Sequence, residues 1–280
     1  MIMNDGATHN REHNKFDLNM EHWNKKDKPF GFSGCFRIRN DQEFMRQSIE
    51  THLEYLDEAI LIIQPSDDKT EEIAKELAEK YEKVRIAYYP FIVHWIATEG
   101  HETTPVNDVY SLVHLSNWAL TQCKYSWIVK TEADVICLSD FGKLIDEVKA
   151  NPDRRMYYGR MLLNLAGQEY DLITVEKIRN HGMDIGVFPN HPDWHFTKAG
   201  KFETIDVRKN PYVSFGWSGL HVKRCKAKFK DGLHTETWLP FTKENVQNAL
   251  KLYNAVIPYD ALGNQLGEEC LYEIEKFWRD

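Results

Sequence analysis

The sequence predicts an α/β fold whose sheet is mainly parallel, because short apolar runs alternate along the chain with amphipathic stretches. "EAILII" at 58–63 is a continuous apolar run, typical of a strand covered on both faces. Residues 70–83 follow it with Ile73, Leu77 and Tyr81 at helical spacing. Alternation of strands and helices at these lengths is typical of parallel strands joined by crossover helices.

The elements before this pair fit the same alternation. "FGFSGCFRI" at 30–38 is typical of a strand, and Asn40 with Glu43 three residues later resembles a helix start. An apolar stripe then recurs at helical spacing through Met45, Ile49, Leu53 and Leu56. We therefore expect a first strand and a first helix before residue 58.

The elements after it continue the pattern as far as about residue 167. We expect strands at 84–89 and 125–130, helices at 108–123 and 139–150, and a strand pair or a strand and turn at 154–167. Residues 168–242 are irregular, and 241–256 again has helical spacing. The predicted organisation is a polar, loosely docked N-terminal arm at 1–29, a ligand-binding half at 30–165 and a second half of the same domain at 166–280.

Composition excludes several classes of protein. The formal net charge of −8 gives no overall attraction to nucleic acid or to an anionic membrane. No apolar run has the roughly 20 residues of a membrane-spanning helix, and the N-terminus lacks the apolar core of a signal peptide. Five scattered cysteines without CxxC spacing argue against a disulfide framework and a thiolate zinc site. We expect a cytoplasmic protein without a membrane span.

Two acids interrupt an apolar run in "YSWIVKTEADVICL" at 125–138. Burying a carboxylate is costly unless a cation or a metal compensates its charge. Glu132 and Asp134 follow a predicted strand, and ligands of parallel sheets bind beyond the carboxyl ends of the strands. Carboxylates are suitable ligands for Mg²⁺ or Mn²⁺, so these two residues form either a metal site or an exposed acidic turn.

The order and spacing of several short motifs resemble those of GT-A-fold glycosyltransferases of the family-2 type. The resemblance covers about residues 32–145 and includes Arg39-Asn40, Asp57-Glu58, the turn "SDDKT" at 66–70 and the acidic pair, which resembles a DxD motif with glutamate first. It implies a GT-A fold, with a mixed, mainly parallel sheet flanked by helices. It also implies transfer of a hexosyl or pentosyl group from a nucleotide-sugar, with a UDP-sugar as the expected donor and Mn²⁺ or Mg²⁺ as cofactor.

The resemblance also implies roles for individual residues. Asp134 is the expected metal ligand, Glu132 a contact to the ribose or to the metal, and His221 a third ligand. The expected donor contacts are Arg37, Gln64, Ser66, Asp67, Asp68, Lys130, Glu132, Trp217, Lys223 and Arg224. Gln64 departs from the family, which often has an aspartate near this position to bind uracil. Asp68 with Glu71 is equally a helix-capping pattern, and Lys130 pairs with Glu132 or faces solvent.

The acceptor side is less determined by the sequence. An inverting transferase needs a carboxylate that accepts the proton of the acceptor hydroxyl. Trp194 and Trp238 are either platforms for sugar rings or core residues. Lys226, Lys228 and Lys230 either belong to a basic cluster that attracts a polyanionic acceptor or form the solvent face of an edge strand. The candidates for the catalytic base are Glu203, Asp206, Asp231 and Glu236.

Three functions stay open at this point. The first is a glycosyltransferase whose acceptor is a glycan, a lipid-linked sugar, a protein side chain, or a hydroxylated base of nucleic acid as in viral DNA modification. The second is a sugar-nucleotide nucleotidyltransferase, although "CFRIRND" lacks the glycine-rich loop of those enzymes. The third is a non-catalytic module that binds carbohydrate or nucleic acid, which leaves the acids at the strand ends unexplained.

Overall fold

The computed structural model describes residues 14–152, 156–166, 172–174, 185–205, 212–224, 239–240 and 244–245. The strands are β1 (Phe32–Ile38), β2 (Glu58–Ile63), β3 (Val84–Tyr88), β4 (Trp127–Glu132), β5 (Val135–Cys137), β6 (Met156–Ala166), β7 (Leu172–Thr174), β8 (Ile185–Pro189), β9 (Phe196–Ala199), β10 (Phe202–Ile205), β11 (Tyr212–Arg224) and β12 (Leu239–Pro240).

The α-helices are α1 (Met20–Trp23), α2 (Met45–His52), α3 (Thr70–Lys80), α4 (Glu99–Thr103), α5 (Leu112–Thr121) and α6 (Asp140–Ala150). Single 3₁₀ turns occupy Asn14–Phe16 and Leu53–Tyr55. None of the helices in these described ranges is long and apolar enough to cross a membrane.

The predicted fold class is confirmed. In the described part of the chain, one sheet has the order β12-β7-β6-β8-β4-β1-β2-β3, with β11 paired to β5 and β6. One side of the sheet, β4-β1-β2-β3, is parallel throughout, and the antiparallel part begins where β8 pairs with β4. β9 and β10 form a separate antiparallel hairpin.

Alternate residues of the central strands face two different cores. On one face, Phe36 and Leu61 pack in a cluster with α2, α3 and α6; on the other, Cys35 and Ile62 pack with α5. All six residues of β2 are buried, as its unbroken apolar run predicts. Each fully buried Ile, Leu or Phe contributes about 1.5–3 kcal/mol to folding, so these two layers stabilise the sheet edge that carries the site.

Residues 14–29 of the N-terminal arm lie against the second of these cores. Trp23 is buried there, and Phe16 and Leu18 pack beside it. Phe16 makes edge contacts with the rings of Tyr89 and Phe91. The polar composition of the arm does not reveal this, because three apolar side chains carry the contact.

Asn40 does not start a helix, which corrects the expectation from its spacing to Glu43. Helix α2 begins at Met45, and Asn40 has φ 54°, a left-handed conformation that asparagine tolerates. Its backbone N–H donates to Ser66 Oγ and its Oδ1 accepts from the N–H of Asp67. These long-range bonds, which local spacing cannot show, fix Asn40 in a loop.

Two other predicted helices have different outcomes. One is shorter than predicted, and most of the other lies outside the described residues. The helix predicted at 108–123 is shorter, because Asp108 accepts from the N–H of Tyr110 in a turn before α5. The helix predicted at 241–256 lies outside the described residues except at 244–245, which are helical.

Candidate metal centre

Glu132, Asp134 and His221 bring their ligand atoms together at the carboxyl end of β4. One atom from each residue lies within 4.8 Å of the other two. His221 Nε2 is 3.6 Å from Asp134 Oδ1 and 3.9 Å from Glu132 Oε2. The three residues that the sequence nominates as metal ligands therefore form one cluster.

The strand pairing explains why residues distant in sequence meet here. β4 ends at Glu132, and β5 begins at Val135 after a two-residue turn that contains Asp134. β11 runs antiparallel to β5 and places His221 opposite Val135. The N–H of Val222 donates to the carbonyl of Asp134 over 2.9 Å, so the turn is fixed to β11.

Helix α2 holds the same turn from the other side. Ser48 Oγ donates to the carbonyl of Glu132 over 3.0 Å, and Thr51 Oγ1 accepts from the N–H of Cys137 over 3.0 Å. His52 Nδ1 donates to the carbonyl of Ser48 over 2.7 Å, and Thr131 Oγ1 lies 3.4 Å from its Nε2. Burial lowers the pKa of His52 to about 4, so its imidazole is neutral at neutral pH.

The donor set fits a hard divalent cation. Ligands of an octahedral Mg²⁺ or Mn²⁺ site stand about 2.1 Å from the ion, so neighbouring ligands are about 3 Å apart and opposite ones about 4 Å. The separations in this cluster lie in that range or slightly above it. The two carboxylates are ligands typical of Mg²⁺ and Mn²⁺, and the imidazole is a ligand typical of transition-metal ions.

Lys130 lies beside the cluster on β4. Its Nζ is 3.6 Å from Glu132 Oε1, and its side chain is 7% exposed. The sequence leaves two alternatives for Lys130, an ion pair with Glu132 or exposure to solvent. The structure shows the ion pair. Residues two apart on a strand share a face, so Lys130 and Glu132 lie on the same face as the buried Ile128.

Arg37, at the carboxyl end of β1, forms a second buried ion pair near the cluster. Its register partner on β4 is Glu132, but its guanidinium donates to Glu203 of β10 and to Ser116 of α5. Burial disfavours the charged guanidinium, yet the pKa of Arg37 is raised because the charge and hydrogen bond of Glu203 outweigh that penalty. Ser116 Oγ lies 2.5 Å from Glu203 Oε2.

The loops after β1 and β2 are joined at the same edge of the sheet. Asp68 accepts from the N–H groups of Gln42 and Thr70, and Ser66 donates to the carbonyl of Gln64. Asp67 is exposed. Buried Gln64 accepts from the N–H of Val93 through Oε1, and its amide Nε2 donates to no group within the described residues.

The structure places some predicted site residues and not others. Trp217, Lys223 and Arg224 lie in β11, the strand that carries His221, but their side chains are outside the description. Asp206, Asp231, Glu236 and Trp238 lie outside the described residues altogether. Trp194 is a core residue, stacked on Phe188 and 2% exposed.

The residues that support the site carry little signal in the sequence. Ser48, Thr51 and His52 lie on α2. In the sequence, only their position next to the apolar stripe of that helix distinguishes them. Ser116 gave a clearer signal, since it is a polar residue on the apolar face of a predicted helix. A polar group at such a position needs a hydrogen-bond partner, which here is the Arg37–Glu203 pair.

Several solved structures resemble this fold. TarS of S. aureus is 11% identical with a TM-score of 0.45 and covers 68% of this chain. Glucosyl-3-phosphoglycerate synthase of Mycobacterium tuberculosis, in complex with UDP, is 11% identical with a TM-score of 0.39 and covers 59%. The mannosyltransferase PcManGT of Pyrobaculum calidifontis, in complex with GDP-Man and Mn²⁺, is 14% identical with a TM-score of 0.38 and covers 65%.

This chain spans 36%, 57% and 53% of the lengths of those three chains. No protein-family model matches the sequence, and no curated protein matches it. At these identities and TM-scores the similarity carries no argument about activity, and the function rests on the geometry of the site.

Proposed function

We propose that this chain is a metal-dependent glycosyltransferase of the GT-A type, which transfers a hexosyl or pentosyl group from a nucleotide-sugar to an acceptor hydroxyl. The single observation that carries the proposal is the cluster of Glu132, Asp134 and His221 at the carboxyl end of a parallel sheet. That edge is where α/β proteins bind nucleotides, and the cluster supplies the ligands for a divalent ion that a diphosphate shares.

Each residue of the cluster has a distinct role in this proposal. Asp134, 5% exposed and fixed by Val222, and His221 hold Mn²⁺ or Mg²⁺. Glu132, the most exposed of the three, reaches either the ion or the donor ribose. When bound, the ion neutralises charge that develops on the nucleoside diphosphate as the sugar departs.

The joined loops after β1 and β2 provide the rest of the donor site. Gln64 offers its amide Nε2 as a hydrogen-bond donor to the base, and the exposed Asp67 is in reach of the nucleoside. Ser66 and Asp68 act mainly by holding the two loops together. We expect a UDP-sugar as donor, with Trp217, Lys223 and Arg224 as further contacts along β11.

Glu203 serves as an anchor in this proposal and not as the catalytic base. Its Oε1 accepts from Arg37 and its Oε2 lies 2.5 Å from Ser116 Oγ, so both oxygens are engaged. A general base must be within hydrogen-bond reach of the acceptor hydroxyl. Asp206, Asp231 and Glu236 therefore stay as the candidates for the base, and the acceptor is a glycan or a nucleic acid.

Analysis of the products tests this function against the nucleotidyltransferase alternative. The purified chain is incubated with UDP-glucose and, separately, with other nucleotide-sugars, with and without Mn²⁺. A glycosyltransferase releases UDP slowly to water in the absence of acceptor, whereas a nucleotidyltransferase supplied with pyrophosphate forms UTP. We expect Mn²⁺-dependent release of UDP that Asp134→Asn lowers by about a hundredfold or more, a loss typical of a group that stabilises transition-state charge.

The matched control is Asp146→Asn, because Asp146 is an exposed acid of α6 with a side chain 76% exposed. Its release of UDP should equal that of the unaltered chain. Formation of UTP without release of UDP would favour the alternative, and no turnover of any nucleotide-sugar would contradict the proposed function.

A further inference from the structure

Lys130 lies on a buried face of β4, where an apolar residue is expected. Its neighbour on the same face, Ile128, is 0% exposed, and Lys130 itself is 6% exposed. Cys35 of β1 and Gly186 of β8 are its register partners, and glycine leaves room beside the lysine stem. Burying an ammonium is costly without a partner, so its presence here calls for a specific role.

The ammonium of Lys130 lies beside the metal ligands but cannot itself bind a metal. Its Nζ is 3.6 Å from Glu132 Oε1, while the other carboxylate oxygen, Oε2, is 3.9 Å from His221 Nε2. The carboxylate of Glu132 is thus shared between an internal cation and the cluster. A positive charge at this distance makes the cluster less attractive to a second cation.

The balance of charge around the cluster supports the same view. In the part of the chain that the structure describes, Lys130 pairs with Glu132 of the cluster, and Arg37, the register partner of Glu132 on β1, pairs with Glu203. A nucleoside diphosphate would bring further negative charge and oxygen ligands to the ion.

We propose that Lys130 is a residue that sets the metal affinity of this site, so that Mn²⁺ binds weakly alone and tightly only together with a nucleoside diphosphate. The inference rests on the proposed function and assigns Lys130 a role beyond a donor contact. Lys130 acts through Glu132, whose charge it offsets, and is therefore a positioning residue. Coupling of this kind is reciprocal, so Mn²⁺ tightens UDP binding by the same factor as UDP tightens Mn²⁺ binding.

The test is a titration of the full chain with Mn²⁺, in which the electron paramagnetic resonance signal reports free Mn²⁺, with and without UDP. A neighbouring opposite charge lowers the proton affinity of a carboxylate by about ten- to a thousandfold, and we expect an effect in the same direction on Mn²⁺. Lys130→Met should therefore bind Mn²⁺ alone at least about tenfold more tightly than the unaltered chain. UDP should raise the Mn²⁺ affinity of this variant by a smaller factor than it raises that of the unaltered chain.

Two further variants separate charge from packing. Lys130→Arg keeps the charge and should retain the weak Mn²⁺ affinity of the unaltered chain. Lys124→Met makes the same change at an exposed position just before the opposite end of β4, so Mn²⁺ affinity should stay unchanged. If Lys130→Met does not fold, Lys130→Gln replaces it, and Lys130→Arg still shows whether a charge at this position keeps the affinity low.

Several results would overturn the inference. Unchanged or weaker Mn²⁺ affinity in Lys130→Met would show that Lys130 does not oppose the metal. Loss of UDP affinity in metal-free Lys130→Met, with unchanged Mn²⁺ affinity, would make Lys130 a direct diphosphate contact. An unaltered chain that binds no Mn²⁺ even with UDP would contradict the proposed function itself, which distinguishes that failure from failure of the role of Lys130.

Discussion

His52 shows how a single buried side chain couples the fold to the site. It is 0% exposed, its Nδ1 donates to the carbonyl of Ser48, and Ser48 in turn donates to the carbonyl of Glu132. The imidazole packs edge-on against Phe36 and Phe141. A charged imidazolium in this apolar position would be costly, so the native state keeps it neutral.

The pH dependence of stability follows from this histidine. The pKa of His52 is about 4 in the folded chain and about 6.5 when unfolded. The folded pKa is the lower of the two. The contribution of neutral His52 to the free energy of unfolding is therefore complete above pH 6.5 and is lost as the pH falls towards 4. The free energy of unfolding should fall by about 3 kcal/mol over that window because of His52 alone.

His52→Asn tests this contribution. The amide Nδ2 of asparagine can replace the Nδ1–H donor to Ser48 but does not titrate. Urea denaturation at several pH values should show that the variant loses less stability between pH 6.5 and 4 than the unaltered chain. An identical loss in both would assign the acid sensitivity to other groups.

The hairpin of β9 and β10 is the element that the Arg37–Glu203 pair fixes to the sheet. Phe196 and Ile205 pair with each other and bury the open end of the hairpin in the second core. Asn117 of α5 bonds both to the N–H and to the carbonyl of Phe196. Arg37 and Glu203, with side chains 14% and 11% exposed, add a charged contact at its centre. Breaking such a pair from one side leaves the other charge buried.

Glu203→Gln should therefore destabilise the chain by about 3 kcal/mol, because Arg37 loses its countercharge. The measurement is the free energy of unfolding from urea denaturation. The control is Glu76→Gln, which breaks an exposed ion pair with Arg46 and should change stability little. Unchanged stability of Glu203→Gln, together with a loss of turnover that depends on pH, would instead identify Glu203 as the base.

The parallel part of the sheet was predictable because its elements carry local signals, whereas β7, β8, β11 and β12 lie in residues 168–242, which the sequence predicted as irregular. The run at 58–63 and the stripe from Met45 to Leu56 are visible in the sequence, and the strand and buried stripe they indicate are present. The loop at Asn40 and the anchor at Glu203 were not predictable. Both depend on partners 26 to 166 residues away, which no local pattern contains.

The candidate site was predictable to a similar extent. Glu132 and Asp134 stood out because acids interrupt an apolar run, and His221 joins them only through the pairing of β11 with β5. The sequence resemblance nominated His221, while its distance to Asp134 is a property of the folded chain. The supporting hydrogen bonds of α2 had no signal, since serine, threonine and histidine next to an apolar stripe are common on helices.

At the scale of the whole molecule, the two ends of the parallel strands differ in how their buried acids are used. At the amino ends, Glu58 accepts from Ser33, Arg85 and the N–H of Lys124, and it is 3% exposed. Both carboxylate oxygens of Glu58 accept hydrogen bonds from these groups, so neither is available to bind a metal. At the carboxyl ends, Asp134 and His221 converge on one point with a separation suited to a metal.

We propose that the carboxyl end of the parallel strands holds a divalent ion together with a nucleoside diphosphate. Thermal unfolding of the full chain with UDP, with Mn²⁺ and with both tests it most directly. We predict little stabilisation by either alone and a rise of several degrees with both, since a ligand at a hundred times its Kd adds about 2.7 kcal/mol. Asp134→Asn should abolish that rise, and Asp146→Asn should retain it. A rise with UDP that is the same without Mn²⁺, or that survives in Asp134→Asn, would contradict the account.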